Sequence, residues 1–589
     1  MAYNSYKEDE KSVEKSKLQT LKRLLLYLLK YKWTIVLVLI LMGYCVVVSL
    51  INPLIIESAI DNHIGNKDYI GLYKLLIIAL IINLIATFAI KLRMYIMAKM
   101  CNQILLTIRQ ELYTHIQKLG FKFFDSRPTG KILSRIIGDI NSLKDVLSNC
   151  VTTLIPDFIT VCAVVIIMFS KNPKLAVAAL ISTPFMAIAI TMIQVKAHPR
   201  WQTFRKKSSN LNAFLHEDMS GMKIIHSFTA EKETEETFDE LLNEHKSSFR
   251  SAVRLSDCFG SVIDFSWGFG CVALYFIGIV VLKDENISVG TFLAFGTYIN
   301  MFWQPINNLS NFYNQITTNI AGAERIFEIL DTKPEIEDEK GVVDLPDIKG
   351  EVTFDHVTFG YDEEKVLDDV SFVIKPGETI AIVGPTGAGK STIINLISRF
   401  YDANEGRVLL DGYDVKDVSI ESLRKQVGTM TQENFIFSGT VKDNIRYGKL
   451  DATDEEIIEA AKAVNAHEFI MKLDKGYDTE LLERGGGLSI GQKQILALAR
   501  TMVSKPKILI LDEATSSIDT KTELIVQKGI DKLLSGRTSF VIAHRLSTIK
   551  RADRIFVVDN GKIIEEGSHR QLLEKKGAYY NLYMAQFNV

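Results

Sequence analysis

Six long stretches that are nearly free of charged side chains, all before residue 324, decide how this 589-residue chain can fold. They are 33–56, 75–90, 146–170 interrupted by Asp157, 175–195, 259–282 interrupted by Asp264, and 286–323. A helix of about 20 apolar residues crosses the hydrocarbon core of a membrane. Since backbone polar groups in hydrocarbon must bond to one another, these stretches predict an all-α domain of six membrane-spanning helices.

The distribution of Lys and Arg predicts the orientation of these helices. Residues 1–32 and 98–150 each contain eight Lys or Arg, whereas 57–71 contains one, 171–174 two and 283–285 one. We therefore expect a protein of the cytoplasmic membrane with both termini on the cytoplasmic side. Residues 1–32 are predicted to form an amphipathic cytoplasmic lead-in, because they lack the continuous apolar core of a cleavable signal peptide.

The overall composition excludes several classes of partner. The chain has 68 Lys and Arg against 70 Asp and Glu, a net charge of -2, so we expect no nucleic-acid partner. A mean hydropathy of +0.12 fits a chain that lipid solvates in part. All six cysteines precede residue 272 and none has CxxC spacing, which argues against a disulfide scaffold or a cysteine zinc site.

The second half of the chain has a different character. Beyond residue 324, β-branched runs alternate with helical patterns, which is typical of an α/β domain. We divide the chain into the lead-in 1–32, a transmembrane domain 33–323, a linker 324–349 and a nucleotide-binding domain 350–589. The connections 98–150 and 196–258 are predicted to extend the spans into the cytosol, with surface turns in 123–130 and around Gly221.

Residues 384–392 match the phosphate-binding pattern GxxxxGK[ST], between an apolar strand at 379–383 and a helical run at 391–400. The glycines let backbone N–H groups turn toward phosphate oxygens, and the helix N-terminus adds a positive dipole. Lys390 reaches the outer phosphates and Ser391 can ligate Mg²⁺. The predicted nucleotide-binding residues of the loop are Gly384, Pro385, Thr386, Gly387, Ala388, Gly389, Lys390, Ser391 and Thr392.

A second motif supplies the carboxylates that such a site needs. The apolar strand at 508–511 ends in Asp512 and Glu513. A carboxylate at the end of a strand beside a phosphate loop is the expected position of a Mg²⁺ ligand, which we assign to Asp512. Glu513 can polarise the water that attacks the γ-phosphate.

These motifs show that residues 350–589 resemble an ATP-binding cassette, and from about residue 20 onward the chain resembles an exporter half-transporter. The resemblance implies that ATP and Mg²⁺ are bound and that hydrolysis drives export. The further residues that it implicates are Tyr361 stacking on adenine, Gln432 sensing Mg²⁺, His544 at the γ-phosphate, the signature residues Ser489, Gly491 and Gln492, and the loop 516–519 facing a partner cassette. The turn in 124–130 and the Gly221 segment also resemble the two coupling helices of the family.

One signature position departs from the family pattern. Ile490 stands where the family usually has glycine. A β-branched side chain restricts the backbone and crowds the approach to a γ-phosphate bound on the partner cassette. With Lys390, Asp512 and Glu513 intact, the chain resembles the intact subunit of a heterodimeric exporter, and a homodimer that tolerates Ile490 is the alternative.

The sequence leaves the cargo open. A single phosphate loop and a single signature imply a second chain, and the resemblance implies multidrug-type export of hydrophobic or amphipathic compounds. Asp157 and Asp264 either face a cavity or each other, which would suit cationic amphipathic cargo, or are solvated near the cytoplasmic interface. A homodimeric lipid or peptide exporter is an alternative, although no peptidase domain precedes the spans. An ATP-gated channel or regulator is a further alternative, against which Glu513 and His544 argue.

Overall fold

The computed structural model describes residues 17–282, 287–338, 341–361, 364–431, 434–513, 520–543 and 546–587. The chain forms two compact units. The first, here called the membrane unit, comprises Met1–Gln117 and Thr129–Thr332, and the second, the cassette unit, comprises Lys118–Pro128 and Lys333–Val589. The described part of the membrane unit is helical and the cassette unit is α/β, which confirms the predicted fold class.

Helices build the first part of the chain, and short π-helical segments continue several of them. The helices are α1 Lys17–Leu29, α2 Lys32–Ser58, α3 Tyr69–Ile116, α4 Phe121–Asp125, α5 Thr129–Ser134, α6 Ile140–Asn149, α7 Ile155–Lys171, α8 Pro173–Leu180, α9 Thr183–Phe228, α10 Glu231–Phe276 and α11 Val289–Asp331. The π-helical segments are Ala59–Ile64, Arg135–Asp139, Cys150–Leu154 and Ile277–Leu282. Of these elements, α4 belongs to the cassette unit.

Five helical runs in the described residues are long and apolar enough to cross a membrane. They are Lys32–Ile64, Tyr69–Ile116, Thr152–Lys171, Pro173–Phe228 and Glu231–Val280. Each overlaps one of the first five predicted stretches. The sixth stretch, 286–323, falls largely within α11, where many side chains lie outside the described residues, so the sixth span stays a prediction.

Four helices continue far beyond the thickness of a membrane, and one of them is α11, with 43 residues. Helix α3 has 48 residues and would be about 72 Å long, against about 30 Å of hydrocarbon. Helices α9 and α10 have 46 residues each. The prediction that the connections after the spans are largely helical is therefore confirmed.

One of the two predicted turns is correct and the other is wrong. The turn in 123–130 lies where α4 ends at Asp125 and α5 begins at Thr129. Helix α9, however, runs through Gly221, and the chain reverses only at Thr229, whose φ is 55°. A glycine within a helix costs about 1 kcal/mol relative to alanine, which a helix this long tolerates.

The described part of the predicted lead-in packs as a helix onto the membrane unit. In α1, Leu24 and Leu28 are buried. Arg23 pairs with Asp331 at the end of α11 over 2.7 Å, and the hydroxyl of Tyr27 donates to Glu111 of α3 over 2.6 Å. Helix α1 therefore ties α3 to α11.

The cassette unit contains three sheets within its described residues. The strands are β1 Val352–Gly360, β2 Lys365–Ile374, β3 Thr379–Val383, β4 Glu405–Leu410, β5 Tyr413–Asp414, β6 Val427–Met430, β7 Gly439–Thr440, β8 Glu480–Leu481, β9 Ile508–Glu513, β10 Thr538–Ala543, β11 Arg554–Asp559 and β12 Lys562–Gly567. The largest sheet has the order β12-β11-β3-β10-β9-β6 and is parallel except for β12. The others are the antiparallel sheet β2-β1-β4-β5 and the pair β7-β8.

The helices of the cassette unit flank these sheets. They are α12 Lys390–Ile397, α13 Ile420–Gln426, α14 Val441–Arg446, α15 Asp454–Ala463, α16 His467–Ile470, α17 Ile490–Val503, α18 Thr520–Leu534, α19 Leu546–Arg551, α20 His569–Lys575 and α21 Ala578–Phe587. Two 3₁₀ turns lie at Gly476–Asp478 and Glu483–Gly485.

The parallel sheet is buried on both faces. In β3, Ile380 and Ile382 belong to the core shared with the antiparallel sheet, whereas Ala381 and Val383 belong to the core shared with α15 and α17. Strands covered on both faces are apolar at every position, which explains the continuous apolar runs in the sequence. Because the strands β3, β6, β9 and β10 are parallel, their carboxyl ends meet at one edge of this sheet.

The orientation of the spans can be tested by cysteine labelling in a variant without the native cysteines. We expect a membrane-impermeant maleimide added outside cells to label cysteine at Asn66 or Lys174, because both flank segments poor in Lys and Arg. Lys174 is preferred to Asn172 because Asn172 accepts hydrogen bonds from two N–H groups of α8. Cysteine at Asn141 or Lys232 should react only after permeabilisation, and external labelling at Asn141 would contradict the orientation.

Candidate functional site

The phosphate loop has a backbone that only glycine can adopt at two positions. Gly384 follows β3 with φ 154°, and a Cβ there would lie 2.0 Å from the carbonyl oxygen of Val558. Gly389 precedes α12 with φ 104°, and its Cβ would lie 2.8 Å from Leu367 Cδ2 and 3.0 Å from the carbonyl oxygen of Val366. The loop is thus pressed against β2 and β11, which fixes the path of its backbone.

Donor groups converge on this loop. The first N–H groups of α12, beginning at Lys390, have no acceptor one turn back in their own helix. The ammonium of Lys390 donates to the carbonyl oxygens of Gly384, over 2.8 Å, and Pro385, over 2.7 Å. Burial lowers the pKa of Lys390, and the carboxylate of Asp512 opposes that shift. A helix N-terminus with a lysine folded over the loop suits a polyphosphate.

The register of the parallel strands places the carboxylate of Asp512 at the edge of the sheet where the phosphate loop begins. Asp512 of β9 pairs with Ile542 of β10, and Ile542 pairs with Ile382 of β3. Only one strand therefore separates Asp512 from the strand that leads into the loop. Since Mg²⁺ prefers oxygen ligands, the hydroxyl of Ser391 and the carboxylate of Asp512 fit a Mg²⁺ ion bound with the phosphates.

Several predicted residues fall outside the described part of the chain. These are Gln432, His544 and the loop 516–519, and for Glu513 only the backbone, at the end of β9, is described. The strands that precede Gln432 and His544 are β6, which ends at Met430, and β10, which ends at Ala543. Both strands end at the edge that carries Asp512. The roles of Gln432, Glu513 and His544 stay predictions.

Tyr361, predicted to stack on adenine, lies beside the first turns of α12. Its hydroxyl is 3.3 Å from Thr392 Oγ1, and Asn395 Nδ2 donates to it over 3.4 Å. The ring also meets Tyr401 nearly perpendicularly, with centroids 5.0 Å apart. With 36% of its surface exposed, Tyr361 is accessible to a base bound next to the phosphate loop.

An aromatic docking patch on the cassette, formed by Phe400 and Tyr401, receives α4. Phe121 packs on Phe400 with centroids 4.5 Å apart, and the hydroxyl of Tyr401 donates to the carboxylate of Asp125. Burial and the Asp125 carboxylate raise the pKa of Tyr401, so its hydroxyl stays protonated as a donor. Sequence reasoning missed this patch, whose only signal was two adjacent aromatic residues directly after the phosphate-loop helix.

The signature residues form the start of α17. The hydroxyl of Ser489 accepts from the Gln492 N–H, and Gln492 Oε1 accepts from the Ser489 N–H, which makes a reciprocal cap. Gly491 is buried in the first turn. Ile490 is the first helical residue and is 56% exposed. The expected backbone restriction is therefore absent, because any residue adopts helical geometry, and Ile490 differs from glycine only by its exposed side chain.

Comparisons with known proteins agree with this architecture. Residues 33–306 match the ABC transporter transmembrane region family and residues 367–516 match the ABC transporter family. The uncharacterized ABC transporter ATP-binding protein YknV of Bacillus subtilis is 42% identical over 96% of this chain and 94% of the relative. The ATP-dependent lipid A-core flippase of Syntrophus aciditrophicus is 39% identical over 82% of this chain and 81% of the relative.

A solved structure shows the same fold over nearly the full length. The structure of a bacterial Atm1-family ABC exporter with ATP bound covers 95% of this chain and 99% of its own, with 28% identity and a TM-score of 0.79. Three findings indicate the same family. They are the helical membrane unit followed by one cassette, the phosphate loop, and the similarity to the relatives. The chain belongs to the ABC exporters, as a half-transporter whose cassette hydrolyses ATP to drive export across the cell membrane.

Proposed function

We propose that this chain exports hydrophobic or amphipathic compounds from the cytoplasmic side of the membrane as one half of a dimer, with ATP and Mg²⁺ bound at the loop 384–392. The observation that carries the site assignment is the strand register that places Asp512 one strand away from the loop on which Lys390 is folded. The amphipathic cargo is supported by the lipid A-core flippase among the relatives.

Each residue of the site has a separate task in this proposal. The loop N–H groups and Lys390 hold the β- and γ-phosphates in place. Bound Mg²⁺, held by Ser391 and Asp512 with Gln432, would draw negative charge from the phosphate oxygens. Glu513 accepts the proton of the attacking water, and His544 donates to the γ-phosphate. Tyr361 positions the adenine.

A second chain completes the transporter. The segment 217–228 of α9 exposes apolar side chains, with Met219 64%, Ile224 65% and Phe228 80% exposed. A cluster of exposed apolar side chains at a helix end is typical of an interaction site. An apolar surface on a partner cassette would cover it.

We infer that the partner is a different chain. The side chain of Ile490 stands exposed at the start of α17, where a phosphate bound on the partner would approach. Its bulk hinders that site and leaves intact the site that this chain builds with Lys390, Asp512 and Glu513. A homodimer of two equal, hindered sites is the alternative.

The docking patch connects the nucleotide to the spans. Tyr361 contacts Tyr401, and Tyr401 bonds to Asp125, which lies nine positions after the end of α3. A change in the position of Tyr361 on ATP binding would therefore reach the segment between the second and third spans through two contacts. This route would let ATP binding act on the spans, and Glu513 and His544, which a cassette acting only as a switch could dispense with, favour export driven by hydrolysis.

Replacing Glu513 by Gln tests the catalytic assignment. We expect ATP binding to persist and turnover at this chain's site to fall at least about 100-fold, because an amide cannot accept the proton of water. Lys390→Ala should instead weaken ATP binding. Hydrolysis of radiolabelled ATP and binding of a fluorescent ATP analogue measure the two effects. Glu421→Gln, on the exposed surface of the cassette, is the control, and an unchanged rate in the Glu513 variant would refute the assignment.

Replacing Tyr401 by Phe tests the route between nucleotide and spans. The ring keeps its packing on Tyr361 while the hydrogen bond to Asp125 is lost. We expect basal ATP hydrolysis to change less than about twofold and its stimulation by transported compounds to fall several-fold, both measured in proteoliposomes. Tyr413→Phe, at an exposed tyrosine of the same unit, is the control. Full stimulation in the Tyr401 variant would exclude this route.

Replacing Ile490 by Gly tests the unequal sites. If the partner is a different chain, total ATP turnover should change much less than in the Glu513→Gln variant, because Ile490 faces the slower site. Counting trapped nucleotide per dimer distinguishes one fast site from two. A chain that forms a stable dimer when purified alone, with two equivalent sites stimulated by cargo, would establish the homodimer.

A further inference from the structure

A cavity in the membrane unit combines an apolar wall with one carboxylate. It has a volume of about 220 Å³ and lies between α7 with the turn before it and α11, lined among others by Leu154, Asp157, Phe158, Val161, Ile306 and Asn308. Pockets for whole drug-sized ligands usually measure about 300–1,000 Å³. This cavity can therefore accept one group of a larger molecule.

The carboxylate of Asp157 keeps its charge unbalanced among the described residues. Asn308 Nδ2 donates to Asp157 Oδ2 over 3.0 Å and joins α11 to α7. No ion pair to Asp157 occurs in the described part of the chain. A neutral amide fixes the direction of the carboxylate without cancelling its charge, and an uncompensated charge among apolar side chains is costly.

The depth of Asp157 places this charge within a span. Lys171, at the other end of α7, lies 14 positions further along the helix, or about 21 Å. With Lys171 at one interface of a hydrocarbon core of about 30 Å, Asp157 lies about 10 Å from the other interface. A carboxylate at that depth is out of reach of bulk water unless a cavity opens to it, and intramembrane carboxylates commonly mark cargo pathways.

We propose that the cavity between Asp157 and Asn308 binds the cationic group of an amphipathic cargo. Asp157 pairs with the positive charge, Asn308 holds the carboxylate toward the cavity, and Phe158 offers a ring near the charge while Val161 and Ile306 contact the adjoining apolar part. This inference names the cargo class of the proposed export function and rests on it. It selects monocationic amphipaths over neutral lipids of the same size.

Asp264 provides an internal comparison. It is also a lone carboxylate in an apolar helix, α10, but it is exposed on the helix surface and does not line this cavity. Asp264→Asn removes one carboxylate charge from a span, as Asp157→Asn does. It does so at a position where no apolar wall surrounds the charge. The cavity, and not the mere presence of a carboxylate, is what should give selectivity.

Binding of dodecyltrimethylammonium to the full chain in lipid nanodiscs, measured by equilibrium dialysis without ATP, tests this inference. The charge of its headgroup is independent of pH, and 1-dodecanol serves as a neutral counterpart. We expect Asp157→Asn to raise the Kd for the cation at least about tenfold, Asp157→Glu to restore most of the affinity, and Asp264→Asn to change it less than about twofold. The neutral compound should bind equally to all variants. Equal binding of the neutral compound, together with an unchanged elution volume in size-exclusion chromatography, shows that the membrane unit of the variants is folded.

Equal Kd values for the cation in the native chain and the Asp157→Asn variant would overturn the inference, as would failure of the native chain to bind the cation. ATP-dependent uptake of the cation into inside-out vesicles tests the proposed function separately. Cation binding that depends on Asp157 without any ATP-dependent uptake would support the site and refute export of the cation. Uptake of a neutral amphipath with cation binding insensitive to Asp157 would refute the site and support export.

Discussion

The absence of water in the hydrocarbon core is the constraint on which the rest of this structure depends. Backbone groups that cross it must bond within their own helix, so the first half of the chain is built from uninterrupted helices. Because α3, α9 and α10 do not end at the membrane surface, they are rigid rods several tens of ångströms longer than a bilayer is thick. A displacement at one end of such a helix is transmitted to the other without intervening flexible segments.

A second constraint acts at the phosphate loop, where close packing fixes the path of the backbone. The steric contacts of Gly384 and Gly389 with β11 and β2 fix the loop before any nucleotide binds. The parallel sheet then places Asp512 one strand away, because register aligns the carboxyl ends of neighbouring strands. A preorganised loop of this kind needs little rearrangement when a ligand binds.

Two polar contacts at a distance from the phosphate loop join elements that are far apart in the sequence. Tyr401 joins the nucleotide site to α4, and Asn308 joins a carboxylate of one span to a neighbouring helix. In both places a single hydrogen bond links elements that are remote in sequence. Such bonds in apolar or half-buried surroundings are stronger than the same bonds in water, and are therefore suited to hold one conformation until ligand binding changes it.

The sequence by itself determined five long apolar helices, the strands at 379–383 and 508–513 and the phosphate loop, because each depends on local hydrophobicity or on glycine at fixed spacing. It failed at Gly221, where the helical preference of the flanking residues outweighed a single helix-breaking residue. Only the tertiary structure paired Asp125 with Tyr401, 276 positions apart, and Asp157 with Asn308, 151 positions apart. Contacts at such separations follow from how whole helices and sheets pack, and no pattern within a short window of sequence encodes them.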